Sequence, residues 1–135
     1  MIIALKAGAA YAAVTFAIKF LMGTIRVLGV APLIGKTSAI VVELPIMLVA
    51  SWAVCGRIVH TLSIRPVAYV RAAMGTAAFV LVMLAELCLS VIAFGRSASE
   101  HWATYGTPNG LLGLGGQIAF ALVPLIRMRW ESTAE

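Results

Sequence analysis

Four ionisable side chains and one amide interrupt stretches of this chain that are otherwise apolar. They are Lys19 and Arg26 in the first stretch, Glu43 in the second, Glu86 in the third and Gln117 in the fourth. Two cations balance two carboxylates. A carboxylate beside an ammonium group can exchange a proton or hold a small polar solute, and an amide beside them can orient it. The same groups can instead be structural ion pairs that set helix register, since buried pairs often add little net stability while specifying arrangement. Lys19 can also carry its charge outward along its apolar stem. A carboxyl group left alone in apolar surroundings would simply protonate.

Such groups need rigid elements to hold them. Of the 135 residues, 62% are apolar and 11% charged, against roughly 45–50% and about 25% in a soluble domain. The polar surface of a water-soluble globule is missing, and so is the low hydrophobicity of a disordered chain. Two cysteines are too few for a disulfide scaffold. Spanning a hydrocarbon layer about 30 Å thick takes roughly 20 apolar residues in a helix. The runs Ala7–Ile25, Thr37–Gly56, Ala72–Gly95 and Pro108–Ile126 meet that length. Open sheet edges cannot be satisfied in lipid. The expectation is an all-α, single-domain bundle of four transmembrane helices, over approximately residues 5–29, 38–60, 67–95 and 108–127.

The connections agree with this division. Residues Ala31 to Lys36 read as a short hairpin, with Thr37 or Ser38 placed to cap the second helix. Pro66 suits the first turn of the third helix. Arg96 to Thr107 is the longest connection, and the tail from Trp130 to Glu135 is expected to fray. The first run exceeds the apolar core of a secretory signal and is read as a retained span. With four spans, Lys6, Arg57, Arg65, Arg71, Arg127 and Arg129 collect on one side, and Arg26, Lys36 and Arg96 on the other. The excess of positive charge predicts both termini in the cytoplasm, with Trp102 and Tyr105 in the outer interfacial belt and Trp130 in the inner one. The formal net charge of +5 is thereby explained by topology, and no nucleic-acid partner is expected.

Counting along the helices at about 1.5 Å per residue, from outer ends near residues 28, 38, 94 and 109, gives depths. Arg26 lies about 3 Å in and Glu43 about 8 Å, while Lys19 lies about 13 Å in and Glu86 and Gln117 about 12 Å. A shallow Arg26–Glu43 pair and a deep Lys19–Glu86–Gln117 group are therefore expected in the outer half. On the third helix Gly75, Phe79, Val82, Glu86 and Ser90 share a stripe. On the fourth, Gly110, Gly113, Gln117, Ala121 and Pro124 do. Small residues beside one polar group mark close-packed interior faces in lipid. Pro45 removes a helical hydrogen bond to the Val41 carbonyl and should bend the second helix beside Glu43.

Other candidates carry less. Glu100 and His101 are adjacent and lack a third ligand, so a solvated loop is expected rather than a metal site. His60 and His101 fall on opposite sides, which argues against a shared haem. Cys55 and Cys88 differ in depth by more than a disulfide can bridge, and both read as small interior residues. The glycines between Gly110 and Gly116 lack the Gly-Lys-Ser/Thr ending of a phosphate loop. They read as a close contact within the bundle, between copies of the chain, or with a larger membrane complex. No cofactor is expected.

The strings Gly23-Thr24-Ile25-Arg26-Val27-Leu28, Glu43-Leu44-Pro45-Ile46-Met47 and Phe94-Gly95-Arg96 resemble those of an uncharacterised family of small bacterial four-helix inner-membrane proteins. The resemblance implies the bacterial inner membrane as the location and implies no activity. Small multidrug resistance transporters are similar in size and helix number, but their essential Glu lies on the first helix, where this chain has Lys19 and Arg26. The leading expectation is a non-enzymatic protein for binding or transport, with an outward-facing polar site. Glu86 would accept a proton or ligand, Lys19 would be its counter-ion, Gln117 would orient the ligand, and Arg26 and Glu43 would form the entrance. The alternatives are an accessory subunit of a larger membrane complex and, less favoured, an enzyme acting on a lipid-like substrate.

Overall fold

A computed structural model describes residues 1–134. Helix α1 is α-helical over Ile2–Ile25, π-helical over Arg26–Val30 and α-helical again over Ala31–Ile34. It is followed by α2 (Lys36–Thr61), α3 (Ala68–Ile92), the short α4 (Ala98–Ala103), a 3₁₀ turn (Thr104–Gly106) and α5 (Pro108–Ala134). No strand occurs among the described residues. Helices α1, α2, α3 and α5 are each long and apolar enough to cross a membrane.

The first connection is tighter than the sequence suggests. Instead of a hairpin over Ala31 to Lys36, α1 runs on to Ile34 and Gly35 alone reverses the chain, at φ +90° and ψ 160°. Only glycine takes that conformation without strain. Pro32 lacks an N–H and crowds the carbonyl of Leu28, and the widened π turn just before it relieves that clash. Thr37 and Ser38 do not cap α2, whose N-cap is Gly35. The Thr37 hydroxyl instead donates to Asn109 Oδ1 at 2.7 Å, levelling the starts of α2 and α5.

The four long helices form a ring in which α1 and α5 each pack against both α2 and α3. Across the α1–α5 diagonal, Tyr11 donates to the Phe120 carbonyl at 2.9 Å, and the two rings stack with centroids 4.3 Å apart. From this bar to the end bearing the termini the interior is largely apolar, with Ala4, Ala7, Tyr11, Cys55 and Met74 fully buried, although the Arg71 side chain is buried there too. Small residues allow close approach there. A Cβ on Gly8 would lie 2.7 Å from the Met74 carbonyl oxygen, and one on Gly75 would overlap the Ala121 carbonyl. The outer surface is apolar as well: Phe20, Val49, Leu84 and Ile126 are all at least half exposed. That is far more apolar surface than a soluble monomer shows in one belt.

Three expectations need correction. The tail does not fray at Trp130, since α5 stays helical to Ala134 and Glu131 pairs with the buried Arg71 guanidinium at 2.9 Å; Glu135 lies outside the described residues. The connection after Arg96 is not a solvated loop throughout, because it folds into α4 and buries His101. Cys88 is exposed rather than interior, whereas Cys55 is buried. The Gly75 contact gives a direct test of the packing. Gly75→Val should lower stability by about 1–3 kcal/mol through overpacking, read as a fall in melting temperature in detergent. Gly115→Ala, where an added Cβ meets nothing within 4 Å, should leave it unchanged or slightly raised.

Candidate functional site

The sequence-predicted residues fall into two ion pairs on facing helices. Arg26 and Glu43 lie nearly equidistant from the Gly35 turn, so folding α1 back against α2 brings them level, and Arg26 Nη1 bonds Glu43 Oε2. Glu43 is 8% exposed at its side chain and Arg26 31%. Deeper in the bundle, Lys19 Nζ of α1 bonds Glu86 Oε1 of α3. The second carboxylate oxygen of Glu86 accepts from Gln117 Nε2 of α5 at 2.5 Å. Lys19, Glu86 and Gln117 therefore meet, as do Arg26 and Glu43.

Two residues that the sequence reading left outside the site join it. The Tyr105 hydroxyl donates to Glu86 Oε2 at 3.3 Å and lies 3.7 Å from Met83 Sδ. His101 Nε2 is 3.5 Å from the Tyr105 oxygen, and its ring meets those of Tyr105 and Trp102 edge-on. Tyr105 was expected in the outer interfacial belt, and the 3₁₀ turn after α4 brings its hydroxyl to Glu86. A signal for this existed. Ser97 and Glu100 have the Ser-x-x-Glu spacing of a capping box, and Ser97 Oγ does accept from the Glu100 N–H at 3.1 Å. Once α4 is helical, His101 and Tyr105, four apart, face the same way.

Between the two ion pairs lies a cavity of about 80 Å³, lined by Lys19, Arg26, Glu43 and Gln117 among apolar side chains from α1, α2, α3 and α5. A water needs about 10–15 Å³ of such space, so the cavity suits several waters or one solute of a few heavy atoms. Glu86 does not line it. Its carboxylate stands behind Lys19 and Gln117, while the carboxylate at the wall belongs to Glu43. Gln117 Oε1 is buried and has no hydrogen-bond partner among the described residues. Thr15, Ser51 and Phe120 form the floor, over the Tyr11 bar. The walls thus offer an ammonium, a guanidinium, a carboxylate and an amide, which is a set able to bind a zwitterionic or hydrogen-bonding solute or to pass a proton.

A second polar cluster lies towards the termini. Arg71, 1% exposed, donates to Glu131 and to the carbonyls of Ile64 and Arg65, tying the α2–α3 connection to α5. Arg127 pairs with Glu131 at 3.2 Å and lies over the Trp52 ring at 5.1 Å. These contacts tie the helix ends together, while Arg71 Nη1 and Arg127 Nε make no hydrogen bond among the described residues. No group of three or more His, Cys, Asp or Glu residues able to hold a metal occurs among the described residues.

Tyr105 lies in the turn outside the long helices, and its phenol is pushed up to about 12, first by burial and then by the neighbouring Glu86 carboxylate. The raised value favours the neutral phenol in the folded state. The stability it contributes is therefore complete below the ordinary value of 10 and is lost as pH rises towards 12. In an ultraviolet titration, the difference between the native protein and Tyr105→Phe should show a phenolate appearing near pH 12. A difference centred at pH 10 would show that Tyr105 is not held against Glu86.

Comparison with known proteins adds no relative: the chain matches no family model, no curated protein and no solved structure.

Proposed function

We propose that the chain is a non-enzymatic multi-pass membrane protein whose cavity is an intramembrane polar site, for a proton or a small polar molecule, in a binding or transport role. One observation carries this reading. Ionic side chains from α1 and α2 and an amide from α5 converge on a cavity large enough for a solute, with a buried amide oxygen still unpartnered. Polar groups at membrane depth are costly and mark function by default. Lys19, Arg26, Glu43 and Gln117 contact the occupant. Glu86 holds Lys19 and Gln117 in place and is the proton acceptor, while Arg26 and Glu43 form the entrance. The excess of Lys and Arg at the end bearing the termini supports both termini in the cytoplasm, and the family resemblance supports the bacterial inner membrane.

Proteoliposomes with an internal pH dye test the site. Under an imposed pH gradient, Glu86→Gln should lose at least about tenfold in proton uptake, the loss of one charge-assisted contact, at unchanged folding yield. Equal yield with unchanged uptake and unchanged retention of small molecules in native mass spectrometry refutes the role. The swapped pair, Lys19→Glu with Glu86→Lys, separates the site from a register pin. It should recover yield without recovering uptake, and recovery of both would make the pair structural. For orientation, a fluorescent protein that matures only in the cytoplasm should fluoresce when fused at either terminus.

A second reading, an accessory subunit of a larger complex, is favoured by the face around Gly115, where an added Cβ meets nothing and Ile118 stands 48% exposed. It predicts a stoichiometric partner after gentle solubilisation. A monodisperse particle without one counts against it.

A further inference from the structure

At the end bearing the termini, α2 and α5 leave an open groove of about 580 Å³ between Ala53, Gly56, Arg57, His60, Thr61 and Arg127. Three of these six residues, Arg57, His60 and Arg127, carry basic side chains, and Thr61 adds a hydroxyl. No carboxylate lines the groove, and Glu131, which pairs with Arg127 at 3.2 Å, is also held by Arg71 at 2.9 Å. Arg57 forms no ion pair among the described residues. Gly56 opens the groove floor, since a Cβ there would sit within 3 Å of the Arg127 guanidinium.

The helical spacing extends this surface in one direction. Val49, Ala53, Arg57 and His60 recur at intervals of four and three, so they share a face of α2. The face is basic near the helix end and apolar above it, where Val49 is 70% exposed. On the α5 side, Trp130 is 71% exposed and meets Trp52 edge-on, the kind of aromatic found at membrane interfaces. A surface that is cationic at one end, greasy along the next turns and flanked by indole rings is complementary to an anionic amphiphile.

We infer that the α2–α5 groove binds an anionic phospholipid, with its phosphate on Arg57, His60 and Arg127 and its acyl chain along Ala53 and Val49. Arg57 supplies a planar fork suited to two phosphate oxygens. Basic pockets between helices at the boundary of the hydrocarbon layer take lipid headgroups through this chemistry. The site rests on the membrane placement proposed above but not on the polar cavity, which lies beyond the Tyr11–Phe120 bar. A failure of Glu86→Gln therefore leaves it untouched.

The test uses the full chain in nanodiscs of phosphatidylcholine containing a minority of phosphatidylglycerol, with bound lipid counted by native mass spectrometry. The native chain should retain phosphatidylglycerol in preference to phosphatidylcholine. The double variant Arg57→Ala, His60→Ala should reduce that preference by at least about tenfold. Both residues are exposed, so folding should survive, and an unchanged melting temperature in pure phosphatidylcholine checks it. Arg65→Ala, an exposed basic residue at the same end but outside the groove, should retain the preference. Retention by the double variant, or an equal loss in Arg65→Ala, overturns the site. Inorganic phosphate in lipid-free detergent should give no stabilisation, and stabilisation matching that by phosphatidylglycerol would reassign the groove to a free anion.

Discussion

A carboxyl group enclosed by apolar helices needs hydrogen-bond partners, and Glu86 gathers three. Lys19 takes one oxygen, and Gln117 and Tyr105 share the other. The donors come from α1, α5 and the turn that follows α4, so one side chain of α3 ties three other parts of the chain together at that end. Apolar contacts alone do not do this, because they are non-directional and tolerate sliding. The half of the bundle nearer the termini is fixed by different means. There Gly8 and Gly75 admit neighbouring backbone so closely that shape decides the register. The two halves meet at the Tyr11–Phe120 bar, which combines a hydrogen bond with stacked rings.

Much of this was legible from charge and spacing. Counting depth along the helices grouped Lys19 with Glu86 and Gln117 and paired Arg26 with Glu43, although the end of α1 was placed too early. With α1 running to Ile34, Lys19 lies about 22 Å from the helix end rather than about 13 Å. The grouping survives because α1 rises past its neighbours and because a lysine side chain reaches far along its stem. Depth counting sees only the axial coordinate, so it could not reveal that Glu86 stands behind the cavity wall while Glu43 forms part of it. That difference depends on helix rotation, which an axial count does not contain.

What was missed lay in segments judged by composition. Residues 96–107 are polar enough to pass for a loop, and the Ser97–Glu100 capping spacing that announces α4 competes with no long apolar run. Without α4, Tyr105 has no reason to face inward. The tail was misread for a related reason. Polar residues at a chain end suggest fraying, yet Arg127 and Glu131 are one helical turn apart, and the buried Arg71 needs a carboxylate. In both places a local pairing rule outweighed average polarity.

The stacked pair of Tyr11 and Phe120 has a consequence for any path along the bundle axis. It closes the cavity floor with two buried rings, and beyond it Ala4, Ala7, Cys55 and Met74 are fully buried. The chamber stops at this aromatic plug, and a way through towards the termini would require the phenol to release the Phe120 carbonyl and swing aside.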